Sequence, residues 1–264
     1  ADMDKDGPLC AEQMLFIRAL EAAADCSSLA GQDGSRYAVH AEMLSKKLDR
    51  FFYDEEKGAY IDTYASGRRN VTRHANIFAI LYDFADESKR ASIVRNVLDN
   101  DGVPAITTPY FKFFELWANC KLGRLEKMLD QVRDYWGGML ALGATTIWEE
   151  YDPRQTFPGH YAMYGDPYGK SLCHAWGAGP IDLIGRYVAG FRAEAPGCRA
   201  FALEPRPSGL SALDTVIPLT DGGQVQLCWD ERELRVLTDR PGGALIWQGR
   251  RIPLEPGQEL RVSR

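Results

Sequence analysis

The change of texture at Pro196 constrains this chain more than any other feature. Up to that point apolar residues recur at helical spacing in consecutive pairs of segments. Beyond it they alternate in short runs separated by turns such as Asp221-Gly-Gly and Pro241-Gly-Gly. The spacing predicts helices from about Met14 to Ala24, Ser35 to Phe52, Thr72 to Phe84, Asp86 to Leu98, Pro109 to Leu122, Arg124 to Trp136 and Ser171 to Gly190. It predicts strands at Phe201–Leu203, Thr215–Ile217, Gln224–Trp229, Glu233–Leu237, Ala244–Trp247 and Glu259–Val262. The expected fold is therefore mainly α, with a helical-hairpin portion over 1–197 and an all-β module over 198–264. Helix, short turn, helix is the arrangement of an α/α toroid. A closed ring of six hairpins needs about twelve helices, so seven correspond to part of one.

Several function classes fall away early. The net charge is −6 with both signs interspersed, so no surface is suited to a nucleic-acid backbone, and a neutral ligand fits better than a polyanion. The pairs Arg68–Arg69 and Arg250–Arg251 read as solvated surface. No apolar run reaches the roughly 18 residues of a membrane span, and no secretion signal is visible. Ala1 in place of Met leaves room for upstream sequence. The six cysteines form no CxxC pair and read as mostly buried thiols, which points to a reducing, cytoplasmic setting, or to a periplasmic or secreted one for a longer parent. Four histidines without ligand spacing predict no metal, and the lack of a P-loop, dinucleotide fingerprint or nucleophile elbow predicts no cofactor.

The segment Leu142-Gly-Ala-Thr-Thr-Ile-Trp-Glu-Glu-Tyr-Asp-Pro153 carries the sharpest chemistry. Trp148 sets an aromatic face beside the Glu149 carboxylate, an arrangement that suits sugar stacking and acid–base work. Two readings stand. Glu149, Glu150 and Asp152 either serve a cleft or line a solvated loop, and in an extended segment Glu149 and Glu150 point to opposite sides. Phe113, Phe114 and Trp117 read as core, whereas Tyr151, Tyr161, Tyr164 and Tyr168 are divided between burial and a ligand. His174 reads first as a hydrogen-bonding partner.

In these residues the sequence resembles the bacterial α-L-rhamnosidases of glycoside hydrolase family 78. The resemblance rests, in order, on Thr108-Pro-Tyr-Phe111, Tyr135-Trp-Gly-Gly-Met-Leu140, Gly143-Ala-Thr-Thr-Ile-Trp-Glu149, Ser171-Leu-Cys-His-Ala-Trp-Gly177, Arg186-Tyr-Val-Ala-Gly190 and Phe201-Ala-Leu-Glu-Pro205. It implies an (α/α)6 barrel followed by a β-sandwich, and inverting hydrolysis of terminal α-L-rhamnosyl residues. By the same resemblance Glu149 is the general base, and Trp148, His174, Trp136 and Tyr110 contact the sugar of a rhamnose-containing oligosaccharide or glycoside. Cys173 stands before His174 where the family often has Asn. The family's general acid lies upstream, in a stretch rich in acids and Trp that neither Asp2–Asp6 nor Asp54–Glu56 resembles. The expectation is thus the C-terminal half of a catalytic domain plus its β-module, paired with a missing half or with another copy. Two other readings remain: a non-catalytic carbohydrate-binding or scaffold fragment, and another six-hairpin toroid glycosidase.

Overall fold

The computed structural model describes residues 3–264; Asp2 lies outside the described residues. The chain forms two compact units. One comprises the residues up to Leu122 together with Trp148–Ser171, and the other comprises Gly123–Ile147 with Leu172–Arg264.

The first unit begins with α1 (Cys10–Leu29) and α2 (Ser35–Phe52), which pack on each other. A two-residue ladder, β1 (Tyr53–Asp54) with β2 (Ala59–Tyr60), leads to α3 (Arg73–Leu81), α4 (Glu87–Ile93) and α5 (Pro109–Lys121). Asp86 caps α4 by accepting the Lys89 N–H, as its position before the apolar stripe suggests. A wider helical turn, Val94–Leu98, extends α4. Helix α3 is buried along its length except at His74, with Ile77 and Ile80 in the same core as Met14, Ile17, Phe52, Ile93 and Val97. Its buried Asn76 stitches β2 to the helix, accepting the Tyr60 N–H and donating to the carbonyls of Tyr60 and Thr72.

The second unit holds α6 (Leu125–Ala141), α7 (Pro180–Leu183) and the later strands. Helix α6 runs through Gly137-Gly138 instead of stopping at Trp136. Burial of Met139 offsets the roughly 1 kcal/mol that each helical glycine costs. It ends at Gly143, whose φ of +88° closes the last turn as Ala144 N–H reaches the Met139 carbonyl. The helix expected over 171–190 is shortened to α7 and a wider turn, Ile184–Val188, because Pro180 lacks an N–H and can only open a helix.

Two four-stranded sheets complete this unit. The first orders β10 (Leu260–Ser263), β7 (Glu233–Thr238), β6 (Gln224–Trp229) and β5 (Leu213–Pro218), all antiparallel. Val225, Leu227 and Trp229 alternate with more exposed residues, which is the period of a sheet with one buried face. The second orders β3 (Phe191–Ala193), β4 (Phe201–Leu203), β8 (Gly243–Trp247) and β9 (Arg250–Pro253), with β4 and β8 parallel. Strands β3 and β9 escaped the sequence reading. In β9, Arg251 grips both oxygens of Glu194, so the supposed basic spot is a strand with a bidentate ion pair. Gly190 sits at φ +72°, and a Cβ there would lie 2.0 Å from the Glu204 carbonyl oxygen. Gly190→Ala is expected to destabilise the second unit by more than about 2 kcal/mol, read as the urea midpoint.

Candidate functional site

Glu149 lies at a bend in a segment outside helix and strand that is held from both sides: its own N–H donates to the Ser171 carbonyl and the N–H of Tyr151 donates to that of Thr107, both at 2.9 Å. The Glu149 side chain is buried, and two donors fix it. Tyr164 Oη donates to Oε1 at 2.9 Å and the Ser171 N–H to Oε2 at 3.2 Å. A carboxylate has about four acceptor positions, so capacity remains for a water or a hydroxyl.

Of the four loop tyrosines that the sequence left divided between burial and a ligand, Tyr164 is the one that bonds Glu149. With Gly165 it forms a two-residue turn at φ +53° and +81°, closed by the reciprocal bonds of Met163 and Asp166. That conformation suits Asn or Gly and is strained for a tyrosine. The hydrogen bond to Glu149 pushes the Tyr164 phenol above its ordinary value, so it remains a donor across the neutral range. The available signal was a bulky residue in a tight-turn position before Gly165, which is weak without knowledge of the turn.

Trp148 is only 3% exposed, with its ring 5.8 Å from that of Tyr161. The loop tyrosines divide: Tyr151 is buried, Tyr161 half-buried, and Tyr164 and Tyr168 exposed. Tyr110 stands half exposed at the start of α5, edge-on to Phe114. Phe113, Phe114 and Trp117 are half-buried, and Phe114 and Trp117 pack against the core of the first unit.

In the second unit the turn His174–Gly177 gathers the remaining pair. Trp136 Nε1 donates to the Gly177 carbonyl at 2.8 Å, and the His174 ring lies 4.4 Å from that of Trp176. Nδ1 of His174 is buried and has no hydrogen-bond partner among the described residues.

The other acids near Glu149 are already engaged. Lys170 reaches Glu150 at 3.3 Å, and Arg154 clamps Asp152 through Nε and Nη2, holding that carboxyl below the usual range. Arg69 contacts Asp54 and Glu56, and Arg68 contacts Asp4 and Asp6, so the first basic pair also serves ion pairs. Among the described residues no group of three or more His, Cys, Asp or Glu is arranged to hold a metal ion.

Residues 2–188, well over half of the chain, match the family described as the bacterial alpha-L-rhamnosidase 6 hairpin glycosidase domain. The chain belongs to that family. The GH78 family rhamnosidase of Bacillus sp. GL1 is similar with a TM-score of 0.78 at 26% identity, covering 92% of this chain and 27% of that one. A rhamnosidase from Klebsiella oxytoca, solved with rhamnose bound, gives 0.58 at 27% identity, covering 67% of this chain and 34% of the other. The Streptomyces avermitilis α-L-rhamnosidase complexed with L-rhamnose gives 0.66 at 17% identity, covering 88% and 22%, and at that identity the likeness is one of fold alone. This rhamnosidase-family chain therefore spans about a third or less of each of these relatives. No curated protein sequence gave a significant match. The family's helical domain accounts for the seven helices, and the strands follow as expected.

Proposed function

We propose that this chain carries the general-base side of an inverting α-L-rhamnoside hydrolase, with Glu149 as the base. The observation that carries the reading is the Glu149 carboxylate itself, fixed by Tyr164 and Ser171 with acceptor positions left over, within the family's Gly-Ala-Thr-Thr-Ile-Trp-Glu stretch. Glu149 takes a proton from water, and the water oxygen attacks the anomeric carbon. The glycosidic bond breaks on the opposite face, and the leaving oxygen takes a proton from a general acid about 6.5–9.5 Å from the base. Neither Glu150 nor Asp152 suits the acid's role, since Lys170 and Arg154 hold them as ion pairs. By the family resemblance, His174, Trp136, Tyr110 and Trp148 are the candidates for sugar contact. The substrate is a rhamnose-containing oligosaccharide or glycoside, as rhamnose bound to the Klebsiella relative supports.

No disulfide joins any of the six cysteines among the described residues, which supports a reducing compartment, the cytoplasm. Only Cys10 and Cys120 are buried, and Cys26 and Cys173 are exposed, so the support comes from the absence of disulfides and not from burial. No helix among the described residues is long and apolar enough to cross a membrane.

A p-nitrophenyl rhamnoside tests the assignment because p-nitrophenolate departs without needing a proton. Slow release of β-L-rhamnose, observed by proton NMR as the first anomer formed, is the expected result. Retention of the α configuration would rule out an inverting base. Sugar binding with no turnover of any rhamnoside would favour the binding-fragment reading, which the engaged Glu150 and Asp152 also support. Tyr164→Asn separates turn chemistry from function. It is expected to stabilise the turn by several tenths of a kcal/mol while slowing turnover about tenfold through loss of the donor to Glu149. A rate equal to that of the unmodified chain would show that the phenol does not position the base.

A further inference from the structure

Lys170 is a buried cation beside the Glu149 segment that the proposed chemistry does not use. Its side chain is 1% exposed, and Nζ faces Glu150 Oε2 and donates to Gln155 Oε1, both at 3.3 Å. An apolar side chain would fill the same space without taking an ammonium out of water.

The backbone of Lys170 lies where both donors to Glu149 are anchored. The next residue, Ser171, donates its N–H to Glu149 Oε2 at 3.2 Å and accepts the Glu149 N–H at 2.9 Å. The preceding residue, Gly169, donates its N–H to the Asp166 carbonyl at 3.2 Å, which ties the chain to the turn that presents Tyr164. A Cβ at Gly169 would lie 2.5 Å from the Met163 carbonyl oxygen, so the backbone passes tightly against that turn. Lys170 donates its own N–H to the Tyr161 carbonyl at 3.0 Å, and the Tyr161 ring lies 5.8 Å from that of Trp148. The ammonium then fastens this stretch to Glu150 and Gln155, on the segment that carries Glu149.

Charge adds to the anchorage. Glu149, Glu150 and Asp152 lie within four positions of one another. Arg154 pairs with Asp152, and Lys170 is the cation that contacts Glu150 among the described residues. The bond to Glu149 raises the Tyr164 phenol, and the charge of Glu150 raises it further, so both carboxylates act on one phenolic proton. A phenol has one proton to donate. Held by Lys170, Glu150 leaves that proton to Glu149; released, it competes for it.

We propose that Lys170 is a positioning residue for Glu149: its buried ammonium fixes the Lys170-Ser171 backbone against the Glu149 segment and keeps Glu150 from taking the Tyr164 hydrogen bond. The proposal rests on Glu149 as the base. With its side chain sealed from solvent, Lys170 touches no sugar and acts on the rate, not on substrate affinity.

Lys170→Met keeps the length and apolar stem of the side chain and removes its charge. With p-nitrophenyl α-L-rhamnoside, kcat should fall at least about tenfold while KM stays within about twofold, because a reacting group displaced by about 1 Å can lose about 10²-fold. Backbone amide exchange, followed by NMR, should become about tenfold faster at Glu149. Exchange at Ile77 and Ile80 of α3, which report the core of the first unit, should not change. The double variant Lys170→Met, Glu150→Gln should regain at least about threefold in kcat, because no freed carboxylate then competes for Tyr164. Its Glu149 amide should slow toward the rate of the unmodified chain.

Unchanged kcat, or unchanged Glu149 exchange, in a folded Lys170→Met would overturn the proposal. So would a raised KM at constant kcat, which marks a sugar contact. A double variant no better than Lys170→Met would overturn it too, since lost packing would then explain the defect. Where Lys170→Met does not fold, Lys170→Gln, which can still bond Gln155, takes its place with the same expected changes. If the unmodified chain hydrolyses no rhamnoside, the base reading falls by itself. Exchange at Glu149 in these variants then decides whether Lys170 positions that carboxylate.

Discussion

Glu149→Gln is expected to reduce hydrolysis of p-nitrophenyl α-L-rhamnoside by about 10²–10⁴-fold, the usual contribution of a general base. The substitution is nearly isosteric. Gln keeps an acceptor for the Tyr164 phenol or the Ser171 N–H, so the segment around it keeps its bonds to Ser171 and Thr107. What disappears is the ability to take a proton from water. Because the leaving group needs no acid, the measured loss belongs to the base alone. Rhamnose affinity, measured in parallel by calorimetry, should change little, since the proposed sugar contacts of His174 and Trp136 are untouched. A rate in Glu149→Gln within twofold of the unmodified chain would falsify the assignment. A shared loss of rate and rhamnose affinity would mark Glu149 as a sugar ligand instead.

Arg73→Met is expected to destabilise the first unit by about 3–5 kcal/mol, since it leaves a buried charge short of its partner. Arg73 is almost wholly buried at the start of α3, and its guanidinium makes five hydrogen bonds. Nη1 donates to Glu115 Oε1 and to the Leu98 carbonyl, Nε to Pro104, and Nη2 to Asn100 and Val103. One side chain thus pins the loop after α4 to α3 and α5. Met fills similar volume but leaves four carbonyls without that donor and Glu115 with the 3.0 Å Lys112 contact. The melting temperature of this unit should fall by roughly 10 °C. The double variant Arg73→Met, Glu115→Met should recover part of the loss, because removing both partners leaves no orphaned charge. A loss below about 1 kcal/mol would mean that water replaces the guanidinium, and the clamp would then be dispensable.

Periodicity located seven helices and six of the eight strands of the β region because those elements bury one regular face. It failed where a local rule and a tertiary one disagreed. The Gly137-Gly138 pair argued for a helix end, and burial of Met139 carried α6 past it. The apolar run over 171–190 argued for one long helix, yet Pro180 cannot continue a helix, and Ile181 is left exposed. Strand β3 is three residues long with an arginine at its centre, so no alternation could be read. Strand β9 follows the Gln248-Gly249 turn, both residues at positive φ, and its arginines looked like solvated charge until Glu194 was brought opposite Arg251.

The candidate base was legible for a chemical reason: a carboxylate beside a tryptophan in a polar loop, in a stretch resembling one family. Its supports were not. Tyr164 lies fifteen positions from Glu149 and meets it only through a strained turn. The partners of Arg73 are mostly backbone carbonyls, which have no sequence signature. The Thr72 hydroxyl donates to Asp62, ten residues upstream, and no sequence pattern announces that pair. By itself, then, the sequence determined the type and order of most elements and the identity of the catalytic candidate, which follow from local spacing and side-chain chemistry. The tertiary structure alone decided which polar groups share a proton and which acids are held as ion pairs. Those outcomes depend on distances of about 3 Å between residues that chain order leaves far apart.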